Sequence, residues 1–153
     1  MGKTERDVTG LILLSGRGEI LLQKKDMRHP KIPGVWCLFG GSIETGESPQ
    51  EAALREYKEE MSISTDLEFY RSYFMKNTHT HPRDHEHFDG VEHLFIGASP
   101  NLRSIRLNEG AGFALFSFME LPEIKNYFIR YDQIMEFLKN SPQSQELNSE
   151  GGN

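Results

Sequence analysis

The stretch from Gly41 to Ile63, GSIETGESPQEAALREYKEEMSI, holds the residues best suited to chemistry. At about 100° per residue on a helix, Glu56, Glu59 and Glu60 fall within one arc of about 100°, with Ala52 beside them. Ala53, Leu54, Tyr57 and Met61 gather on a different face, suited to packing on a sheet. Like charges at these spacings each cost about 0.2–0.5 kcal/mol. Structure alone gives no reason to accept that cost, whereas a hard divalent cation does. Mg2+ prefers carboxylate oxygens, keeps some of its waters and bridges to substrate phosphates. Gly40 and Gly41 let the backbone come close, so a carbonyl there can also reach a metal. Glu47 can reach back from the loop, and Arg55 can hold a carboxylate with its planar fork.

The spacing also predicts the elements that must hold these residues. Ser48 suits an N-cap, Pro49 the first helical position, and Glu51 completes an S-x-x-E capping box, so a helix should run to about Met61. Ser62 follows where Gly or Asn makes the better cap. Ahead of the helix, Val8 to Leu14 reads as a buried strand, Ser15 to Gly18 as a turn, and Glu19 to Lys24 as the returning strand of a hairpin. Val35 to Phe39 reads as a short strand running into Gly40 and Gly41. After the helix, strands are expected at Leu67 to Met75, Val91 to Ala98 and Gly112 to Phe118. Lys76 to Gly90 reads as a polar loop between the first two. Phe128, Ile129, Tyr131, Ile134, Phe137 and Leu138 recur near helical spacing, which predicts a second helix over Asn126 to Lys139. Residues 1–139 then form one domain. Residues 140–153, with little to bury, form a disordered tail.

The acidic stretch resembles the Nudix hydrolase signature: G, five residues, E, seven residues, R-E, an aliphatic, one residue, E-E, one residue, G, an aliphatic. Gly41, Glu47, Arg55, Glu56, Glu59, Glu60 and Ile63 stand at the matching positions. Six of these are single-residue demands, so a chance match at one start point is on the order of 10⁻⁷. Tyr57 replaces the usual aliphatic and Ser62 the usual glycine; neither removes a carboxylate. The resemblance implies an α/β (α+β) fold, an α-β-α sandwich around a mixed, curled β-sheet. It implies hydrolysis of a diphosphate linkage in a nucleoside diphosphate derivative, such as a (d)NTP or nucleotide sugar, by water attack on phosphorus with Mg2+ or Mn2+. By the same resemblance Glu56, Glu59 and Glu60 are metal ligands, joined by the carbonyl of Gly40. One carboxylate serves as base for the attacking water. In some relatives that base comes from a later loop, for which Glu109 is the candidate here. A catalytically inactive ligand sensor on the same fold is the alternative, although such domains usually show eroded carboxylates and here all four glutamates stand. Downstream marks of substrate subtype are missing: the sixteenth position after Ile63 is His79, and Pro82 comes three residues later.

Other residues carry weaker signals. Trp36 and Phe39 could stack on a base, although such residues more often build a core. Lys24, Lys25 and Arg28 could meet phosphates, or simply line a solvated loop. Five of the six histidines, His79, His81, His85, His87 and His93, cluster in one segment. A zinc site or substrate lid is the sharp reading of that cluster, and a polar loop the simpler one.

The chain has 153 residues, enough for one domain with a real core. Its 17 basic and 23 acidic residues give a net charge of −6. That balance argues against a broad nucleic-acid surface; if the substrate is itself anionic, something local must offset the repulsion, and a divalent cation would do so. No uncharged apolar run reaches the ~18 residues of a membrane span. Cys37 is alone, so no intrachain disulfide forms, and MGKTERDV lacks the apolar core of a signal peptide. These features place the expected protein in the cytoplasm. The sequence is silent on assembly; dimers are common in the family it resembles, so a homodimer is the assembly that resemblance allows.

Overall fold

In the computed structural model, residues 3–5, 7–25, 34–78, 87–105, 112–128 and 130–140 are described. Among them the strands are β1 (Lys3–Glu5), β2 (Val8–Leu14), β3 (Ile20–Lys24), β4 (Trp36–Cys37), β5 (Phe39–Ser42), β6 (Glu68–Thr78), β7 (His87–Ala98) and β8 (Gly112–Phe116). The α-helices are α1 (Pro49–Met61) and α2 (Tyr131–Asn140), with 3₁₀ turns at Leu102–Ser104 and Leu121–Tyr127.

β2 is the spine. It runs parallel to β7 from Val8↔Glu92 to Leu14↔Ala98 and antiparallel to β5 from Val8↔Ser42 to Leu11↔Phe39. β6 lies antiparallel along the other edge of β7, and β1 extends the parallel pairing with Lys3↔His87. The hairpin at Ser15–Gly18 swings β3 away, so β2 and β3 meet only at Leu14↔Ile20. β3 then pairs antiparallel with β4 and β8.

Because strand side chains alternate faces, β2 feeds two cores. Leu11 and Leu13 join Ala53, Tyr57 and Met61 of α1, together with Phe39 and Phe95. Ile12 joins Leu94 and, from α2, Ile134, Phe137 and Leu138. Burying each such Leu, Ile or Phe contributes about 1.5–3 kcal/mol relative to leaving it exposed. The expected sandwich, a mixed sheet between helical layers, is therefore met.

Four local expectations need correction. Leu54 is 37% exposed and Ala52 fully buried, so the packing face of α1 is Ala52, Ala53, Tyr57 and Met61. The second helix starts at Tyr131 rather than Asn126. Phe128 is extended and bridges to Trp36, and Arg130 adopts a left-handed φ of 75°, so helical backbone begins only after it, with the Ile134 N–H donating to Arg130 O. β6 and β7 run on to Thr78 and from His87, so the polar segment between them is shorter than Lys76 to Gly90. Strand pairing in the Gly112 segment ends at Phe116 rather than Phe118. Arg28, His79, His81, His85, Glu109 and the expected tail beyond Asn140 lie outside the described residues.

Candidate active site

The capping box forms as its residue types require. The Ser48 hydroxyl accepts from the Glu51 backbone N–H, and the Glu51 carboxylate accepts from Ser48 N–H. Such a cap is worth about 1 kcal/mol and fixes where the helix begins. The phase of every later side chain follows from that start.

The carboxylates are graded by their position around α1. Glu59, furthest from the packing face, has a side chain 57% exposed, while that of Glu56 is 13% exposed. Glu60 is nearest the buried face. Burial, the neighbouring Glu56 and, more weakly, Glu59 push its carboxyl up to about 8, opposed by Lys25 and a hydrogen bond from the Gly40 backbone. Glu56 is also raised, chiefly by burial and against the pull of Arg55.

Arg55 organises the group. It forks onto Glu47 (Nε to Oε2 2.7 Å, Nη2 to Oε1 2.9 Å), reaches Glu56 Oε1 at 3.1 Å and Glu59 Oε2 at 3.5 Å, and donates to the Ser42 carbonyl at 3.1 Å. The Glu44 carboxylate lies 3.8 Å from Nη1. Glu47 also accepts from the Glu44 backbone N–H at 2.9 Å. The Arg55 hydrogen bonds and that backbone contact hold the Glu47 carboxyl down at about 2.

The two glycines are required by close approach. A Cβ on Gly41 would collide with the Glu56 carboxylate, and a Cβ on Gly40 (φ 140°) with the Thr9 carbonyl. Thr9 braces Gly41 from β2: its hydroxyl donates to Gly41 O at 3.3 Å, and Gly41 N–H reaches the same hydroxyl oxygen at 3.4 Å.

The structure thus brings Gly40, Gly41, Glu47, Arg55, Glu56, Glu59 and Glu60 together. Sequence reasoning did not single out Thr9 or Glu44. A threonine inside a strand and an acidic loop residue carry no signal until the register β2–β5 is known. Phe39 is 1% exposed and packed beneath α1, so its ring has no free face for a base. Trp36 is half-buried, edge-on to Phe116 at 4.8 Å, with Lys24 Nζ 5.9 Å from its ring centre. His93 Nδ1 lies 2.8 Å from the Ser72 hydroxyl. Among the described residues no three His, Cys, Asp or Glu side chains come together in an arrangement that could hold a metal ion by themselves. A hard cation such as Mg2+ needs no such arrangement, since it takes one or two carboxylates and completes its shell with water and phosphate. Nor is any described helix long and apolar enough to cross a membrane.

Comparison with known proteins agrees with this geometry. The nucleoside triphosphatase NudI of Klebsiella pneumoniae subsp. pneumoniae is 27% identical over 118 residues, covering 75% of this chain and 82% of that protein. An RNA pyrophosphohydrolase of Sulfurovum sp. is 30% identical over 106 residues, covering 69% of this chain and 64% of that one. Among solved structures, the MutT protein from Methanosarcina mazei Go1 aligns with a TM-score of 0.68 at 16% identity, covering 100% of this chain and 99% of that chain. The NUDIX domain of Shewanella oneidensis NrtR, complexed with ADP ribose, aligns at 0.64 and 18% identity, covering 94% and 88%. These two show the shared fold. The NUDIX domain family matches residues 4–138, nearly all of the two-core sandwich with its glutamate-bearing helix, and the chain belongs to the Nudix hydrolase family.

Proposed function

We propose that this chain uses Mg2+ or Mn2+ to hydrolyse a diphosphate linkage in a small nucleoside diphosphate derivative, such as a (d)NTP or a nucleotide sugar. Glu60 carries the reading. It is a buried carboxyl beside a second, Glu56, and is pushed up to about 8. The nearby guanidinium of Arg55 is already forked onto Glu47. Arg55 on Glu56 and Lys25 near Glu60 only partly offset the pair, which burial still raises; a divalent cation would supply the remaining positive charge. Glu56, Glu59, Glu60 and the Gly40 carbonyl would hold that cation. When bound, it offsets phosphate charge and makes water a better nucleophile.

The chain's own side chains do the rest. Arg55 fixes the carboxylates and ties helix to loop through Glu47. Glu59 is the most exposed of the three and would take a proton from the attacking water. Glu109 is the second candidate for that base. Lys24 and Trp36 pair across neighbouring strands; Lys24 and Arg28 would serve as phosphate contacts and Trp36 as a base contact. Coverage of most of the nucleoside triphosphatase relative, and the acidic net charge, support a small nucleotide over RNA.

The test is a phosphate- and nucleotide-release screen over nucleoside triphosphates, nucleotide sugars and dinucleoside polyphosphates with Mg2+ or Mn2+. Turnover of one class that Glu60→Gln abolishes supports the proposal. Nucleotide binding without turnover in any class would replace it with a ligand-sensing role.

A further inference from the structure

Glu92 lies within β7 and is 5% exposed. Its Oε2 accepts from Arg130 Nε at 2.7 Å. Its Oε1 is buried without a hydrogen-bond partner. Buried ion pairs contribute little net stability, and a buried carboxylate oxygen left unpaired is a direct cost that native chains seldom keep. Arg130 adds a second cost, since it reaches Glu92 from a left-handed backbone position, φ 75°. Two unfavourable features meet in one contact, and packing alone explains neither.

The location points to the substrate. The Glu92 carboxyl carbon lies 3.9 Å from where a Cβ on Gly10 would stand, and Gly10 is the Cα partner of Gly40. Arg130 follows Phe128, which bridges to Trp36. Glu56 lies against Gly41 from the α1 side, so the carboxylates of α1 and the Glu92–Arg130 pair, on the α2 side with Leu94, flank the same short run, Trp36 to Gly41, from the two faces of the sheet. A nucleotide with its phosphates at the carboxylates would carry its base toward Trp36 and this pair.

We infer that Glu92 Oε1 is a specificity-determining acceptor, receiving an exocyclic amino N–H of the substrate's base while Arg130 holds the carboxylate in place. Carboxylates accept from such amino groups, and a base edge lacking the amine leaves the oxygen unpaired. The inference rests on the diphosphohydrolase reading above.

The test compares nucleotides that differ by one amino group: GTP with ITP, and ATP and CTP each with its analogue lacking the exocyclic amine. The wild type is expected to favour the amino member of one pair by about 10-fold or more in kcat/KM. Glu92→Gln, which can keep its oxygen toward Arg130 and turn an N–H toward the base, should collapse that ratio to within about 2-fold. Equal wild-type turnover within every pair overturns the inference and leaves the diphosphohydrolase reading standing. No turnover of any nucleotide removes that reading and the inference with it. The wild-type comparison needs no variant, so poor folding of Glu92→Gln does not blunt the test.

Discussion

Arg55 grips Glu47 by two parallel hydrogen bonds, 2.7 and 2.9 Å long, joining the second turn of α1 to the loop that precedes it. The same guanidinium touches Glu56 and Glu59, so one side chain sets the spacing of the carboxylates. Arg55→Lys keeps the charge but not the fork. It should lower kcat/KM by about 100-fold, since small misplacements near reacting atoms cost that much. Circular dichroism should show a folded helix. Near-wild-type turnover would remove Arg55 from the positioning of the site.

Metal-free stability should run against the usual pH trend. Glu60 stays protonated up to about 8 in the folded chain, whereas its ordinary value is 4.5. Between those values the folded state binds the extra proton, so stability falls as pH rises through about 8. Glu47 has the opposite sign: its contribution is complete above 4.5 and is lost as pH falls toward about 2. Calorimetry in EDTA should therefore give a higher Tm at pH 5.5 than at pH 8. Glu60→Gln should flatten that slope and raise the Tm at pH 8 by about 3 °C or more. A Tm that climbs from pH 5.5 to 8 in EDTA contradicts the burial of Glu60.

Mg2+ or Mn2+ should reverse this loss at pH 8. Binding to the folded state alone stabilises by about 2.7 kcal/mol when the free cation is 100 times its Kd. The shift should shrink sharply in Glu60→Gln and in Glu56→Gln, as measured by thermal shift against cation concentration. An equal shift in both variants would place the cation elsewhere.

Gly41→Ala should fold and lose activity, because its methyl drives the Glu56 carboxylate from its place. Gly40→Ala should instead lose stability, by about 1–3 kcal/mol. Its methyl meets the Thr9 backbone, and its φ of 140° disfavours any side chain. Urea titration and turnover assays on the two variants separate the effects.

Ser62→Gly should stabilise the protein by about 0.5–1 kcal/mol. Ser62 ends α1 in the left-handed region, φ 63°, with its N–H donating to Lys58 O at 2.9 Å. Glycine meets that conformation without the Cβ penalty. An unchanged urea midpoint would argue that serine's backbone is already relaxed there.

The helix and its carboxylates were legible because local rules decide them. Ser48, Pro49 and Glu51 fix the start, and phase does the rest. Tyr57, a departure from the family pattern, proves compatible: its ring is buried under the sheet and its hydroxyl reaches Ala98 O at 3.2 Å. Features decided by distant partners were not legible. Whether Ala52 or Leu54 is buried depends on how the sheet lies beneath α1, and the two differ by sides of a wheel that periodicity treats alike. The break at Phe128–Arg130 depends on contacts to Trp36 and Glu92, far away in sequence. β1 is three residues, too short to show a period, and exists because β7 offers it an edge.

The parallel pairing of β2 with β7 also has a consequence for synthesis. Val8 meets Glu92, so one edge of the central strand waits for a partner made some 80 residues later. At 5–20 residues per second that wait lasts about 4–16 s. During it the hairpin, β5 and α1 can assemble on the nascent chain, while a long apolar strand stays open to foreign strands. The emerging chain thus carries its carboxylate-bearing half first and its exposure longest, and a chaperone's hold on residues 8–14 would have to end as β7 leaves the ribosome.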